Sequence, residues 1–244
     1  MNRRLRKPVP FVIMILAAAV SVAVATLAGT STAAQRTIPF ADARMIIEVN
    51  ETDGDAGFQI FADAEPWRKF EVFRPDGKRI VDFEATSVLR NFGLTELFSE
   101  SNEPPFDEFP LARFKALFPA GTYRFRGETT EGKLLVGSAR FSHKIPGGPI
   151  VLSPREDSTI DRDDAEVRWR PAPQPRGVNV IRYQVIISGG KPSREFSVFL
   201  PGSARKVEIP EEFLAPNTEY EGEVLAIEAS GNQTITQIGP FQTR

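Results

Sequence analysis

The sequence contains no cysteine. This excludes disulfide bonds, cysteine nucleophiles, thiolate metal sites and a lipid-modified cysteine after a signal segment. Small secreted domains of animals are usually stapled by disulfides, so an exported chain without cysteine is more typical of a bacterial envelope. Its stability must then come from packing alone.

Histidine is nearly absent as well, with His143 the only one. Zinc sites built from several histidines are therefore excluded, and a serine-histidine system would have to use this residue. Ser142 is adjacent to it, but neighbours in a strand point to opposite faces. We therefore expect no enzyme activity and assign no catalytic, cofactor-binding or metal-binding residue and no cofactor.

Long basic runs are also lacking. Removing residues 1–34 takes away four basic residues and no acidic residue, so 26 basic residues face 32 acidic ones and the net charge is −6. Binding to a phosphate backbone requires clustered positive charge. The composition thus argues against a nucleic-acid partner.

The N-terminal segment has the pattern of a secretory signal: basic residues, an apolar run from Phe11 to about Ala28, and small residues ending at Ala34. We expect an exported protein that is periplasmic, at the cell surface or secreted. The apolar run is also long enough to remain as a membrane anchor. Signal cleavage and an uncleaved N-terminal helix therefore stay open.

The many prolines (20) and glycines (18) indicate short strands joined by turns. In residues 35–145, two hairpins are predicted: one around Pro75-Asp76-Gly77, the other joining Gly121–Phe125 to Leu135–Phe141 through a turn at residues 130–133. The segment 87–110 is predicted to be a long loop, followed by one short helix over residues 110–118. Ile145 to Pro149 is predicted to be a linker, with residues 146–149 as its centre.

Residues from about 149 to 241 resemble a fibronectin type III domain. The resemblance is carried by Trp169 in a second strand, Tyr183 in a third, and the corner formed by Leu214, Pro216, Thr218 and Tyr220, followed by a strand that ends at Gly231. It implies a seven-stranded sandwich with Trp169 and Tyr183 in the core and Tyr220 as the corner tyrosine. Gly222 departs from the pattern, and no Arg-Gly-Asp triplet is present to support integrin-type adhesion.

The first half is only loosely similar to an immunoglobulin domain, through Gly121-Thr122-Tyr123, which resembles a tyrosine corner. The predicted fold is thus all-β, with two tandem β-sandwich domains, one short helix in the first, and an N-terminal signal or anchor helix. The predicted boundaries are 1–34, 35–145, 146–149 and 150–244.

Three segments are candidate binding sites. Ile186, Leu225 and Ile227 alternate with core positions and would form an apolar interface strip on the outer face of the second domain, facing either the first domain or a partner. Asn50, Asp53 and Asp55 place oxygen ligands around a glycine and would suit calcium, although a tight turn needs no metal. Trp67 with Phe70 and Phe73 would suit a sugar, or simply the core.

The predicted function is a non-enzymatic binding, adhesion or scaffold module of the bacterial envelope, with a protein or polysaccharide partner. Two alternatives remain. One is a structural spacer tethered by an uncleaved N-terminal helix. The other is a metal-dependent enzyme of unfamiliar type, using the acidic segment 96–108 or the Asp53 and Asp55 turn.

Overall fold

The computed structural model describes residues 37–244, so the predicted signal or anchor segment lies outside the described residues. None of the helices in the described part has the length and apolar character needed to cross a membrane. The elements of the first half are β1 (Thr37–Pro39), β2 (Asp42–Asn50), β3 (Asp55–Phe73), β4 (Arg79–Glu84), α1 (Ser87–Phe92), β5 (Leu94–Glu100), α2 (Leu111–Leu117), β6 (Gly121–Thr129) and β7 (Leu134–Phe141).

The long strand β3 organises the first half because it has two sets of neighbours. Residues 55–63 pair with β2 on one side, and residues 59–67 pair with β5 on the other. Residues 67–73 pair instead with β6, and residues 69–73 with β4. The register shifts near Trp67, and the two sets of strands enclose one hydrophobic core, in which Trp67, Phe70 and Phe141 have no exposed surface.

Both predicted hairpins and the predicted helix are present. The chain turns at residues 74–78 between β3 and β4 and at residues 130–133 between β6 and β7. Helix α2 contributes Phe114 to the core. The segment predicted to be a long loop is partly ordered into α1 and β5, because Leu94–Glu100 pairs with the free side of β3. Its irregular acidic pattern concealed a strand that pairs along one edge only and contains no buried residue.

The second half contains β8 (Ile150–Ser153), β9 (Thr159–Ile160), a 3₁₀ turn (Arg162–Asp164), β10 (Glu166–Arg170), β11 (Val180–Gly189), β12 (Arg194–Pro201), β13 (Lys206–Glu208), β14 (Glu219–Glu228) and β15 (Gln233–Thr243). One sheet has the order β13-β10-β8, and β15-β14-β11-β12 forms the opposing layer. A second hydrophobic core fills the space between them.

Gly222, which departs from the fibronectin type III pattern, lies opposite the core residue Ile187, and two features explain why this residue is a glycine. The register between β14 and β15 shifts between Tyr220 and Gly222, which marks a bulge. A Cβ at this glycine would lie 2.3 Å from the backbone oxygen of Ile186 on β11. Only glycine therefore allows β11 and β14 to approach this closely.

The two halves share a sheet, which the sequence did not reveal. Strand β15 pairs in parallel with β2, with Gln233 opposite Glu48 and Ile235 opposite Asn50. The resulting sheet has the continuous order β1-β7-β6-β3-β2-β15-β14-β11-β12. The predicted linker is irregular and contacts both halves: the hydroxyl of Thr234 on β15 donates to the Pro146 carbonyl, and the Gly148 N–H donates to the carboxylate of Glu51, which follows β2.

Candidate binding face

The continuous sheet has one side turned toward the two cores and an opposite side, here called the outer face. Directly paired residues of neighbouring strands lie on the same side of a sheet, so the register defines the outer face across both halves. From β12 to β5, it comprises Glu195, Ser197, Phe199; Arg182, Gln184, Ile186; Glu221, Glu223, Leu225, Ile227; Gln233, Ile235, Gln237; Asp42, Arg44, Ile46, Glu48, Asn50; Asp55, Gly57, Gln59, Phe61, Asp63; and Glu96, Phe98, Glu100.

Negative charge dominates this outer face. Its cations are Arg44 and Arg182, whereas every strand from β12 to β5 except β11 and β15 contributes carboxylates. Arg44 is already engaged, because its guanidinium pairs with Asp42 at 2.8 Å and lies 4.4 Å over the ring of Phe61. The outer face is therefore suited to a ligand that carries positive charge.

Three carboxylates converge near the middle of the outer face. Oxygens of Glu48, Glu100 and Glu103 all lie within 4.8 Å of one another. Glu103 reaches this carboxylate cluster from the segment after β5 by crossing Gly57, where a Cβ would come within 2.8 Å of the Glu103 side chain. Among residues 37–244, this is the group whose geometry could hold a divalent cation.

Burial and mutual repulsion raise the pKa values in the carboxylate cluster. The pKa of Glu48 rises to about 7, chiefly because the side chain is buried; the hydrogen bond from Gln233 offsets this in part, while Glu100 adds to it. Burial, with the charges of Glu48 and Glu100, raises the pKa of Glu103 to about 7 as well. Burial likewise raises the pKa of Glu223 on the same face. A positive charge placed here would favour the ionised forms.

The predicted interface strip lies on the outer face but is not exposed. Leu225 is 3% exposed and Ile227 7%, and together with half-buried Ile186 they pack with Ile235 in an apolar cluster separate from both cores. The sequence predicted that the strip faces either the first domain or a partner; these side chains are largely buried within the protein, and nothing in the structure supports a partner at this strip. Strand β2 continues the sheet beyond β15, so the strip lies inside a wider surface. Ile235 was missed, although its alternation in Thr234-Ile235-Thr236 could have revealed it.

The turn proposed for calcium is closed by its own hydrogen bonds. Asn50 Oδ1 accepts the N–H groups of Thr52 and Asp53 at 3.0 and 3.2 Å, and Asn50 Nδ2 donates to Asp53 Oδ2 at 2.8 Å. Asp53 Oδ2 also accepts from Gln237 on β15 at 2.7 Å. Asp55 lies opposite Asn50 in the pairing of β2 with β3, and its Oδ1 is buried without a hydrogen-bond partner. Calcium binding at this turn stays a prediction.

The other candidate residues have structural partners. His143 Nε2 lies 2.8 Å from the carbonyl oxygen of Phe118, and the Ser142 hydroxyl lies 2.8 Å from that of Ser230 in the second half. The two side chains thus engage different groups. Trp67 and Phe70 have no exposed surface, with ring centroids 5.8 Å apart, so they form core rather than a sugar-binding platform.

The aromatic residues that carried the family resemblance have the predicted positions. Trp169 is 2% exposed and its ring centroid lies 5.4 Å from that of Tyr183. The hydroxyl of Tyr220 accepts the N–H of Ala215 at 2.8 Å, which is the tie expected of a corner tyrosine. The second half has a fibronectin type III-like fold.

Comparison with known proteins gives matches at the level of solved structures. No family model matches the chain. No curated protein matches it either. A two fibronectin type III domain segment from chicken tenascin matches at 15% identity and a TM-score of 0.26, covering 82% of this chain and 95% of that one. The FN1–FN3 domains of chicken CNTN1 match at 14% identity and a TM-score of 0.29; the alignment covers 83% of this chain but only 64% of that one, just under two thirds of its length.

Proposed function

We propose that this chain is an exported, non-enzymatic binding module of the bacterial envelope whose outer face binds a basic segment of a protein partner. The observation that carries the proposal is the excess of carboxylates on a sheet face that runs across both halves. Fold alone does not specify function in sandwiches of this kind. The kind of partner is therefore inferred from the charge of the outer face.

The carboxylate cluster explains why a cationic partner is favoured over a neutral one. Glu48 is 8% exposed and faces Glu100 and Glu103, so its negative charge is poorly solvated. A lysine or arginine side chain of a partner would offset this repulsion, whereas a neutral polysaccharide would leave it unchanged. Charge complementarity of this kind contributes specificity and association rate.

Binding to a fluorescent oligolysine peptide tests the proposal, with an oligoserine peptide as the neutral comparison. Glu100 is exposed, so Glu100→Lys should leave the fold intact while reversing charge at the carboxylate cluster. The matched control is Glu208→Lys, an exposed site on β13 of the other sheet with the same change in net charge. We expect Glu100→Lys to weaken binding by roughly tenfold, equivalent to about 1.4 kcal/mol, and the control to change it little.

Equal weakening by both variants would contradict the assignment, because it would reveal general attraction between a negative protein and a positive peptide. Preference for the neutral peptide or for a neutral polysaccharide would also contradict it. Export is tested separately by the mass of the protein recovered from cells. A start near Gln35 supports signal cleavage, whereas an intact N-terminus supports the tethered alternative.

A further inference from the structure

Helix α1 carries three exposed apolar side chains and buries none of its residues. Val88 is 78% exposed, Leu89 43% and Phe92 83%. Val88 and Phe92 are four residues apart and so lie side by side on one face of the helix. These three side chains do not pack in the core and together form an exposed apolar surface, here called the apolar tip. Exposed apolar patches usually mark contact surfaces.

The apolar tip lies at the end of the first half where the described chain begins. Gly93, which ends α1, lies against Pro66 and Thr130, and a Cβ at Gly93 would come within 2.9 Å of each. Thr130 starts the turn between β6 and β7. Immediately after this turn, Leu134 pairs with Thr37, the first described residue. The tip and the entry point of residues 1–36 are therefore neighbours.

The length of chain between the apolar run and Thr37 limits the distance between Thr37 and a bilayer that contains the run. The apolar run ends at about Ala28, and the eight residues 29–36 span at most roughly 28 Å when fully extended. A run that stays in the membrane, or a signal still engaged during export, would hold Thr37, and with it the end of the fold that carries the tip, near lipid.

The basic residues beside the apolar tip are paired, so apolar contact rather than free positive charge would carry an encounter with a membrane. Arg90 pairs with Glu84 at 2.5 Å, and Lys133 on the neighbouring turn pairs with Glu131. Phenylalanine and leucine are side chains that enter the boundary between lipid headgroups and acyl chains. We propose that Val88, Leu89 and Phe92 enter the interfacial layer of a lipid bilayer and dock the first half on a membrane surface. This inference is independent of the basic partner of the outer face.

The absence of cysteine allows a direct test with the full chain. Phe92→Cys, labelled with an environment-sensitive fluorophore, is mixed with phosphatidylcholine vesicles that contain brominated lipid. We expect the emission to shift to shorter wavelength and to lose intensity through quenching by bromine. The matched control is Glu131→Cys, which is exposed on the adjacent turn at the same end of the fold.

Labels that stay water-exposed at both sites would overturn the inference. Equal quenching at both sites would overturn it too, because the N-terminal segment alone would then account for proximity to lipid. Adding Val88→Ser and Leu89→Ser to Phe92→Cys should abolish the shift. Both positions are exposed, so circular dichroism is expected to show an unchanged fold; a shift that persists in this variant would refute a role for the tip.

Discussion

Gln233 donates its side-chain amide to the carboxylate of Glu48, across the parallel pairing that joins β15 to β2. This contact connects the acidic outer face to the junction between the two halves. The parallel pairing of β15 with β2 is here called the seam. Glu48 is therefore both a member of the carboxylate cluster and a residue of the seam. The charge state of this one side chain should affect binding and stability alike.

Stability should fall as pH rises through the range in which Glu48 ionises. Its folded-state pKa of about 7 lies above the ordinary value of 4.5, so between these values the folded chain holds a proton that the unfolded chain has released. The contribution is fully favourable below about pH 4.5 and is lost as pH rises to about 7. Glu48→Gln keeps an acceptor for Gln233 and removes the charge.

The variant Glu48→Gln should therefore be more stable than the natural chain at pH 8, by up to about 3 kcal/mol, and nearly equal to it at pH 4.5. Urea denaturation at both values measures the difference. Glu208→Gln, at an exposed carboxylate of the other sheet, serves as control. A Glu48→Gln variant that is less stable than the natural chain at pH 8 would contradict the prediction.

The junction between the halves should depend strongly on Asn232. This side chain is 1% exposed; its Oδ1 accepts the N–H of Ile47 at 2.8 Å, and its Nδ2 donates to the carbonyls of Ser142 and Lys144 at 3.0 and 2.9 Å. Asn232→Ala leaves buried polar groups of the first half without their partner. We expect a loss of about 2–4 kcal/mol, measured by urea denaturation, and faster hydrogen exchange at the Ile47 amide.

Asn91→Ala is the control for this prediction, because Asn91 lies on the exposed helix α1. Unchanged exchange at Ile47 in the Asn232→Ala variant would show that the seam does not need this side chain.

More of the second half than of the first could be predicted from the sequence, because its large aromatic residues alternate regularly with polar ones. Trp169, Tyr183 and Tyr220 alternate with polar residues, and that period of two indicates buried strand positions directly. In the first half, β3 is a single strand with two sets of neighbours, and Pro66 marks the irregularity beside Trp67 without revealing which strands pair on either side of it. Strand β5 was hidden because its acidic sequence shows no regular alternation of buried and exposed positions.

The carboxylate cluster was missed because its members are far apart in the chain. Glu48, Glu100 and Glu103 meet only once β3 lies between β2 and β5. Asp53 and Asp55 were predicted instead because they are close in sequence. Proximity in sequence reveals side chains that share a turn, but not side chains that meet through the pairing of distant strands. The seam that places Gln233 opposite Glu48 is a contact between strands 185 residues apart, and no local pattern encodes such a pairing.

Trp169→Ala should unfold the second half. The indole packs against Tyr183 with 2% of its surface exposed, and truncation of a buried tryptophan costs about 3–5 kcal/mol. Thermal denaturation followed by near-ultraviolet circular dichroism measures the loss. Phe199→Ala, at a 57% exposed position on β12, should melt close to the natural chain. A Trp169→Ala variant that melts normally would disprove the assigned core position.

The two corner tyrosines should differ in their response to loss of the hydroxyl. Tyr220→Phe removes the acceptor of the Ala215 N–H at 2.8 Å and leaves that donor without its partner. Tyr123 instead donates to the Pro119 carbonyl at 3.2 Å, so Tyr123→Phe frees only an acceptor. Loss of a partner costs about 1–3 kcal/mol for a buried group, and an N–H has a single proton to donate, whereas a carbonyl has two lone pairs and tolerates the loss of one partner better. Urea denaturation should therefore rank Tyr220→Phe as the more damaging change, and the reverse order would show that the corner of the first half is the more tightly held.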